Sequence, residues 1–178
     1  MPGLCFLIAV SIDETFIMSK PHHPVTPAIR FLRAHKIEHT AMQYPYEEHG
    51  GTAHSAECLG IDEHQIVKTI VLINEHKKGL IVLMHGDRQI STRNLARQLG
   101  MKHVELAAHD QAHKWTGYFV GGTSPFGCRT ALPVYAERSI WDLPLMYING
   151  GGRGLFVTVA PAPALAALNA QPVEVAVD

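Results

Sequence analysis

The sequence predicts an α+β fold, a single compact domain in which a mixed, barrel-like β-sheet is surrounded by short helices. Three observations carry this reading. Strand-like runs outnumber helical ones and do not alternate strictly with them, which disfavours a doubly wound parallel sheet. The clearest pairing is local: VKTIVLIN (67–74), a Lys-Gly turn and a second apolar run over 80–84 form a hairpin pattern. A chain of 178 residues, 47% of them hydrophobic, also suits one domain that buries its own core without a metal or disulfide staple.

The elements follow in order. Thr26 and Pro27 open the first helix as an N-cap hydroxyl followed by proline, and Ile29, Phe31 and Leu32 give it an apolar side to about Lys36. Residues 39–44 read as a strand. Thr52 is expected to cap a second helix, in which Ala53, Ala56 and Leu59 recur at helical spacing before Gly60 stops it. After the hairpin, Ser91 caps a helix carrying Leu95 and Leu99, ended by Gly100. A strand over 103–106 precedes a short helix over 108–115 that stops at Gly117. The apolar residues 118–120 read as strand-like and run into GGTSPFG (121–127). Strands near 132–135, 145–148 and 155–159 follow, the last two separated by NGGGRG (149–154). A final helix over 163–168 and a final strand over 173–177 complete the set. Residues 1–24 read as a poorly ordered N-terminal extension and 25–178 as the folded domain. The apolar run over 4–10 has no preceding Lys or Arg and makes a poor signal peptide.

Composition excludes several function classes. No apolar run approaches the ~18 residues of a membrane span, so no membrane partner is expected. Cys5, Cys58 and Cys128 are odd in number and far apart, which excludes a disulfide framework or a CxxC site and fits a reducing, cytoplasmic setting. Fifteen Lys/Arg against sixteen Asp/Glu leave a net charge of −1. The distribution is uneven, since residues 68–129 hold nine Lys/Arg and four Asp/Glu. That stretch could face a polyanion, or it could be a solvated surface.

Twelve histidines are the compositional oddity, but the pairs His109/His113 and His49/His54 with Cys58 supply too few converging ligands for zinc. No HExxH, GxSxG or nucleotide-type glycine loop is present. Ser124 reads as a turn residue. Cys128, beside Arg129, is either an activated thiol or a small hydrophobe. The two glycine clusters are tight turns or places where backbone N–H groups meet a ligand. Lys68 lies within an apolar strand, facing either solvent or a pocket that takes a phosphate or carboxylate.

Taken together and in order, Lys68 in VKTIV, TGYFVGGTSPFG (116–127) and YINGGGRG (147–154) resemble the YbaK family of aminoacyl-tRNA editing domains. TPAIRFLRAHKI (26–37), Tyr44 and AECLGID (56–62) add to the resemblance, which spans about residues 26–175. The family comprises free-standing Cys-tRNA(Pro) deacylases related to the editing insertion of bacterial prolyl-tRNA synthetase. The resemblance implies an enzyme without a cofactor or metal that removes cysteine mischarged onto tRNA(Pro), with Cys-tRNA(Cys) as a further substrate. Its partners would be the acceptor end of aminoacylated tRNA and prolyl-tRNA synthetase. It implies catalytic roles for Lys68, Gly121 and Gly122. Substrate-binding roles fall to Tyr44, Thr69, Thr123, Ser124, Pro125, Asn149, Gly151, Gly152 and Arg153, with the second glycine cluster closing the wall opposite the first. In the mechanism it implies, the substrate's own thiol attacks the ester, so no enzyme nucleophile is required. Asn149 stands where relatives commonly carry serine, which leaves alanine or another small amino acid open as the cargo. A module that binds charged tRNA or a synthetase without catalysis is the alternative of another class.

Overall fold

A computed structural model of the chain describes residues 23–178, so the extension read over 1–24 lies, but for its last two residues, outside the described part. The order of elements is α1 (Pro27–Ala34), β1 (His39–Gln43), α2 (Gly51–Leu59), β2 (Ile66–Asn74), β3 (Gly79–His85), β4 (Gln89–Ile90), α3 (Thr92–Gln98), β5 (Val104–Leu106), α4 (His109–Thr116), β6 (Val134–Glu137), β7 (Met146–Gly152), β8 (Leu155–Val159), α5 (Pro161–Ala167), β9 (Gln171–Val173) and β10 (Ala176–Val177). Short 3-10 turns at Glu63–Gln65 and Arg138–Asp142 precede β2 and β7.

The main sheet runs β1-β8-β7-β2-β3-β6-β9, with β5 also pairing β2, while β10 and β4 form a separate ribbon. It is mixed, as expected: β7, β3 and β6 make parallel pairs with β2, β6 and β9 respectively, and the remaining pairs are antiparallel. It does not close into a barrel, because β1 and β9, the two ends of the path, share no pairing. Alternation along β2 and β3 serves a core on each face. Val67, Val71, Ile81 and Leu83 pack with α1, α5 and the buried Phe126. Leu72, Leu80, Val82 and Met84 pack with Leu95 and Ala96 of α3 and Val104 of β5.

Four local readings are corrected. Thr52 does not cap α2; Gly50 holds that position without a side-chain bond, and the Thr52 hydroxyl donates to the Glu63 carboxylate at 2.7 Å. Residues 118–120 form no strand, because they lie between left-handed Gly117 (φ +82°) and Gly121 (φ +85°), and Tyr118 turns inward to donate its hydroxyl to the Phe126 carbonyl. The last helix starts at Pro161, since two prolines in a first turn remove N–H groups that have no helical partner. The single last strand is split into β9 and β10 because the buried Glu137 carboxylate accepts the amides of Val175 and Ala176, at 2.8 and 2.9 Å, and draws them out of line.

The register of β7 against β8 slips between Asn149 and Gly152, a bulge that Gly151 makes possible with φ +92°. Thr26 anchors it. Its side-chain oxygen accepts from Ile29 N–H at 3.1 Å, capping α1, while its proton goes to the Gly150 carbonyl. Thr26→Ala should therefore cost about 1–2 kcal/mol in a urea titration, with Thr26→Ser recovering most of it. An unchanged midpoint for the alanine variant would contradict this double role.

Candidate functional site

The site begins with an interruption in the sheet. β2 pairs β3 along one edge from Val67 to Ile73. On its other edge it meets β7 only at Ile66 and Val67, and β5 only at Leu72, Ile73 and Asn74. Residues 68–71 have no strand partner on that side. An antiparallel ladder directs alternate residues' main-chain groups to alternate edges. Gly86 N–H donates to the Ile66 carbonyl on the β3 side, whereas Ala107 N–H donates to the Val71 carbonyl on the β5 side. The amide and carbonyl of Thr69 and the amide of Val71 therefore face the gap.

A cavity of about 820 Å³ opens over it. Lys68, Thr69 and their neighbours in β2 form one wall, and Leu106, Ala107, His109 and Ala112 approach from β5 and α4. Tyr44, Tyr46 and Glu47 come from the segment between β1 and α2, and Val120, Gly121, Thr123, Asn149 and Arg153 complete the lining. Lys68 and Thr69 point to opposite faces of a strand; they share a cavity because it wraps around the open edge.

The Lys68 ammonium donates to the Arg88 carbonyl, which uses one of its three N–H bonds. Partial burial lowers its pKa below the usual lysine value, against Glu63 and Asp87, which favour the charged form. The Tyr44 ring packs on Phe156 with centroids 5.0 Å apart, and burial raises its hydroxyl pKa, keeping it a neutral phenol. The Thr69 hydroxyl oxygen is buried without a hydrogen-bond partner, and native interiors rarely leave such a group unmatched.

The two glycine segments are neighbours rather than facing walls. A Cβ on Gly122 would lie 3.0 Å from the Arg153 main-chain nitrogen and the Gly152 carbonyl carbon, so the two backbones touch with little room for a side chain between them. Asn149 ties them together. Its Nδ2 donates to the Gly121 carbonyl at 3.1 Å, and its Oδ1 accepts from Gly151 and Gly152 N–H at 2.8 and 3.2 Å. Arg153 adds a second tie, donating from Nε to the Val120 carbonyl at 3.0 Å while its guanidinium lies over the Tyr46 ring. Gly122 N–H is used within the turn, on the Phe119 carbonyl.

The structure thus brings Tyr44, Lys68, Thr69, Gly121, Thr123, Asn149 and Arg153 to one cavity. The other expected residues stand behind its wall. Gly122 is buried, Ser124 and Pro125 sit in the core beside Phe126, and Gly151 abuts Tyr118 and Thr26. Gly152 backs onto Gly122. Cys128 is no activated thiol: burial pushes its pKa up to about 11, and its S–H faces the Ser124 carbonyl. His113 donates from Nδ1 to the Tyr118 carbonyl and stacks on Phe119, and His54 rests on Cys58. Among the described residues, no three His, Cys, Asp or Glu side chains converge as a metal site. Tyr46 and Leu106 line the cavity without having been singled out in the sequence, and His109, read there only against a zinc site, lines it too. The Tyr-Pro-Tyr run was a usable signal for Tyr46; an exposed leucine at a strand end offers none.

The comparisons with known proteins agree with this architecture. A family model described as an aminoacyl-tRNA editing domain matches residues 47–166. The chain is 28% identical over 151 residues to a protein of Enterococcus faecalis provisionally named Cys-tRNA(Pro)/Cys-tRNA(Cys) deacylase EbsC, covering 84% of this chain and 92% of that one. A stretch of 88 residues, 49% of the chain, is 33% identical to a proline–tRNA ligase of Streptococcus equi subsp. zooepidemicus, of which it spans 14%. The crystal structure of a provisionally named trans-editing enzyme for prolyl-tRNA synthetase shares the fold, with a TM-score of 0.75 at 21% identity over 85% of this chain and 96% of that one.

The brace at Asn149 is testable on stability alone. Asn149→Ala leaves two amides and one carbonyl without partners and should cost about 1–3 kcal/mol. Asn149→Asp keeps both acceptor bonds and should lose less. Equal midpoints for alanine and wild type in chemical denaturation would mean that the two glycine segments hold together without it.

Proposed function

The chain belongs to the aminoacyl-tRNA editing domain family, and from that premise we propose that its cavity receives the acceptor end of tRNA(Pro) mischarged with cysteine and releases the amino acid. The coarse activity, deacylation of aminoacyl-tRNA, is that of the family. The cysteine substrate is supported by the name of the Enterococcus relative and by the chemistry the site contains. The observation that carries the reading is the open edge of β2: main-chain donors and acceptors beside a lysine, with no nucleophile poised among them.

A substrate that brings its own nucleophile suits such a site. The cysteine sulfur attacks the ester carbonyl, the bond from that carbon to the ribose oxygen breaks, and the thiol proton ends on the ribose hydroxyl. The products are free tRNA and a cysteine thiolactone, which water later opens. Posing the two reacting groups can supply an effective molarity of ~10⁵ M or more. Donors aimed at the developing oxyanion contribute about 3 kcal/mol each. Here the strand amides of Thr69 and Val71 and the amide of Gly121 are the candidates, since Gly122 N–H already has a partner. The Thr69 carbonyl and hydroxyl suit the substrate's α-ammonium, and the Lys68 ammonium suits a phosphate or the sugar of the terminal nucleotide. Such a deacylase makes biochemical sense after a synthetase, because a pocket separates small side chains by only ~1–3 kcal/mol.

Two experiments test the reading. Lys68→Ala should lower kcat/KM for Cys-tRNA(Pro) at least 100-fold while leaving the melting temperature within about a degree; full activity would reject the assigned site. Assays with tRNA(Pro) charged in turn with cysteine, serine and alanine should show cysteine released far faster than serine. Equal rates would point to an activated water, a preference for alanine would reassign the cargo, and binding without release would indicate a non-catalytic module.

A further inference from the structure

We propose that the groove between α3 and the start of β5 seats the phosphodiester backbone of the RNA whose charged end occupies the cavity, an inference that rests on the editing function above. The groove encloses about 420 Å³, and Arg93, Arg97, Lys102 and His103 stand around an apolar floor that includes Val104. Arg93 and Arg97 are four apart on a helix and so project from one side of α3. Lys102 and His103 come from the turn that leads into β5.

The charge is available. Among the described residues, Arg93, Arg97 and Lys102 take part in no salt bridge. All three are exposed. Two carboxylates lie beside them: Glu75 accepts the main-chain amide of Lys102 at 3.1 Å, and Glu105 pairs with His103 at 3.2 Å, so the charge left for a ligand is that of Arg93, Arg97 and Lys102. Arg97 leans on Asn94, which is neutral. Two guanidinium groups match phosphate oxygens in geometry as well as charge.

Position supplies the rest of the argument. β5 separates the groove from the cavity: its first residue, Val104, lines the groove, and its last, Leu106, lines the cavity. Two strand steps of about 3.3 Å put these two lining residues roughly 7 Å apart along the strand. A nucleic acid strand leaving the cavity over β5 therefore meets these cations within a nucleotide or two. Contacts made to phosphates alone would add affinity without choosing among tRNAs.

The test uses an uncharged acceptor-stem minihelix, whose binding does not depend on deacylation. Its Kd is measured by fluorescence anisotropy across a KCl series for wild type, for Arg93→Glu with Arg97→Glu, and for Arg33→Glu with Lys36→Glu as a reversal of equal charge at the C-terminal end of α1. The α3 pair should weaken binding tenfold or more at ~0.1 M salt and reduce the slope of log Kd against log salt by roughly 1.5 to 2. The α1 pair should do much less. On a cysteinyl ester of adenosine, which lacks the stem, the α3 variant should keep wild-type kcat/KM. Unchanged Kd and slope in the α3 variant, equal losses in the two reversals, or a wild type that does not bind the minihelix would each overturn the groove. Failure of wild type to deacylate Cys-tRNA(Pro) would instead overturn the editing function, and the binding series would still decide the groove.

Discussion

The constraint on which this molecule depends is the unfinished pairing of β2. A strand of nine residues is matched along one edge by β3 and only at its two ends along the other. The ends keep the strand in place, and the unmatched middle leaves polar main-chain groups exposed to a cavity rather than to a neighbour. Buried strand edges are normally filled. Here β7 and β5 run out on either side of the gap, and the loop over residues 119–123 lines the cavity that opens there.

That loop illustrates how a site without a reactive side chain is made rigid. Residues 119–123 have no strand or helix of their own, yet two of their carbonyls are held from β7 and the turn after it, by Asn149 and Arg153. Gly122 lets the loop lie directly on the bulge, and Thr26 holds that bulge to the start of α1. The chain of contacts runs from a helix cap to the cavity wall. Several glycine amides that could have met a ligand are already engaged in this bracing, so polar recognition falls more heavily on the strand edge.

Much of this was legible in the sequence, and the limits are physical. Helix caps, glycine stops and the hairpin are local signals, and Thr26, Ser91, Gly60 and Gly117 act where expected. Of the residues grouped there around a pocket, Lys68, Gly121, Asn149 and Arg153 line one cavity, while Gly122, Gly151 and Gly152 stand behind its wall. What escaped was set by distant partners. The split of the last strand depends on Glu137, nearly forty residues away, and the gap in β2 depends on where two other strands end. Periodicity within a segment carries no record of either. The glycine clusters looked like two walls because each resembled a ligand-facing turn, whereas the space at Gly122 is taken by the other cluster.

A site whose polar equipment belongs to the main chain has a different inheritance from one made of side chains. Replacing Thr69 or Val71 by most other residues would leave their amide and carbonyl where they are. Only proline deletes a donor there, and only a change in strand register moves the set. Such an apparatus can persist through extensive drift of the residues around it. Divergence among proteins that share it would then be felt first at the rim of the cavity and last at the strand itself.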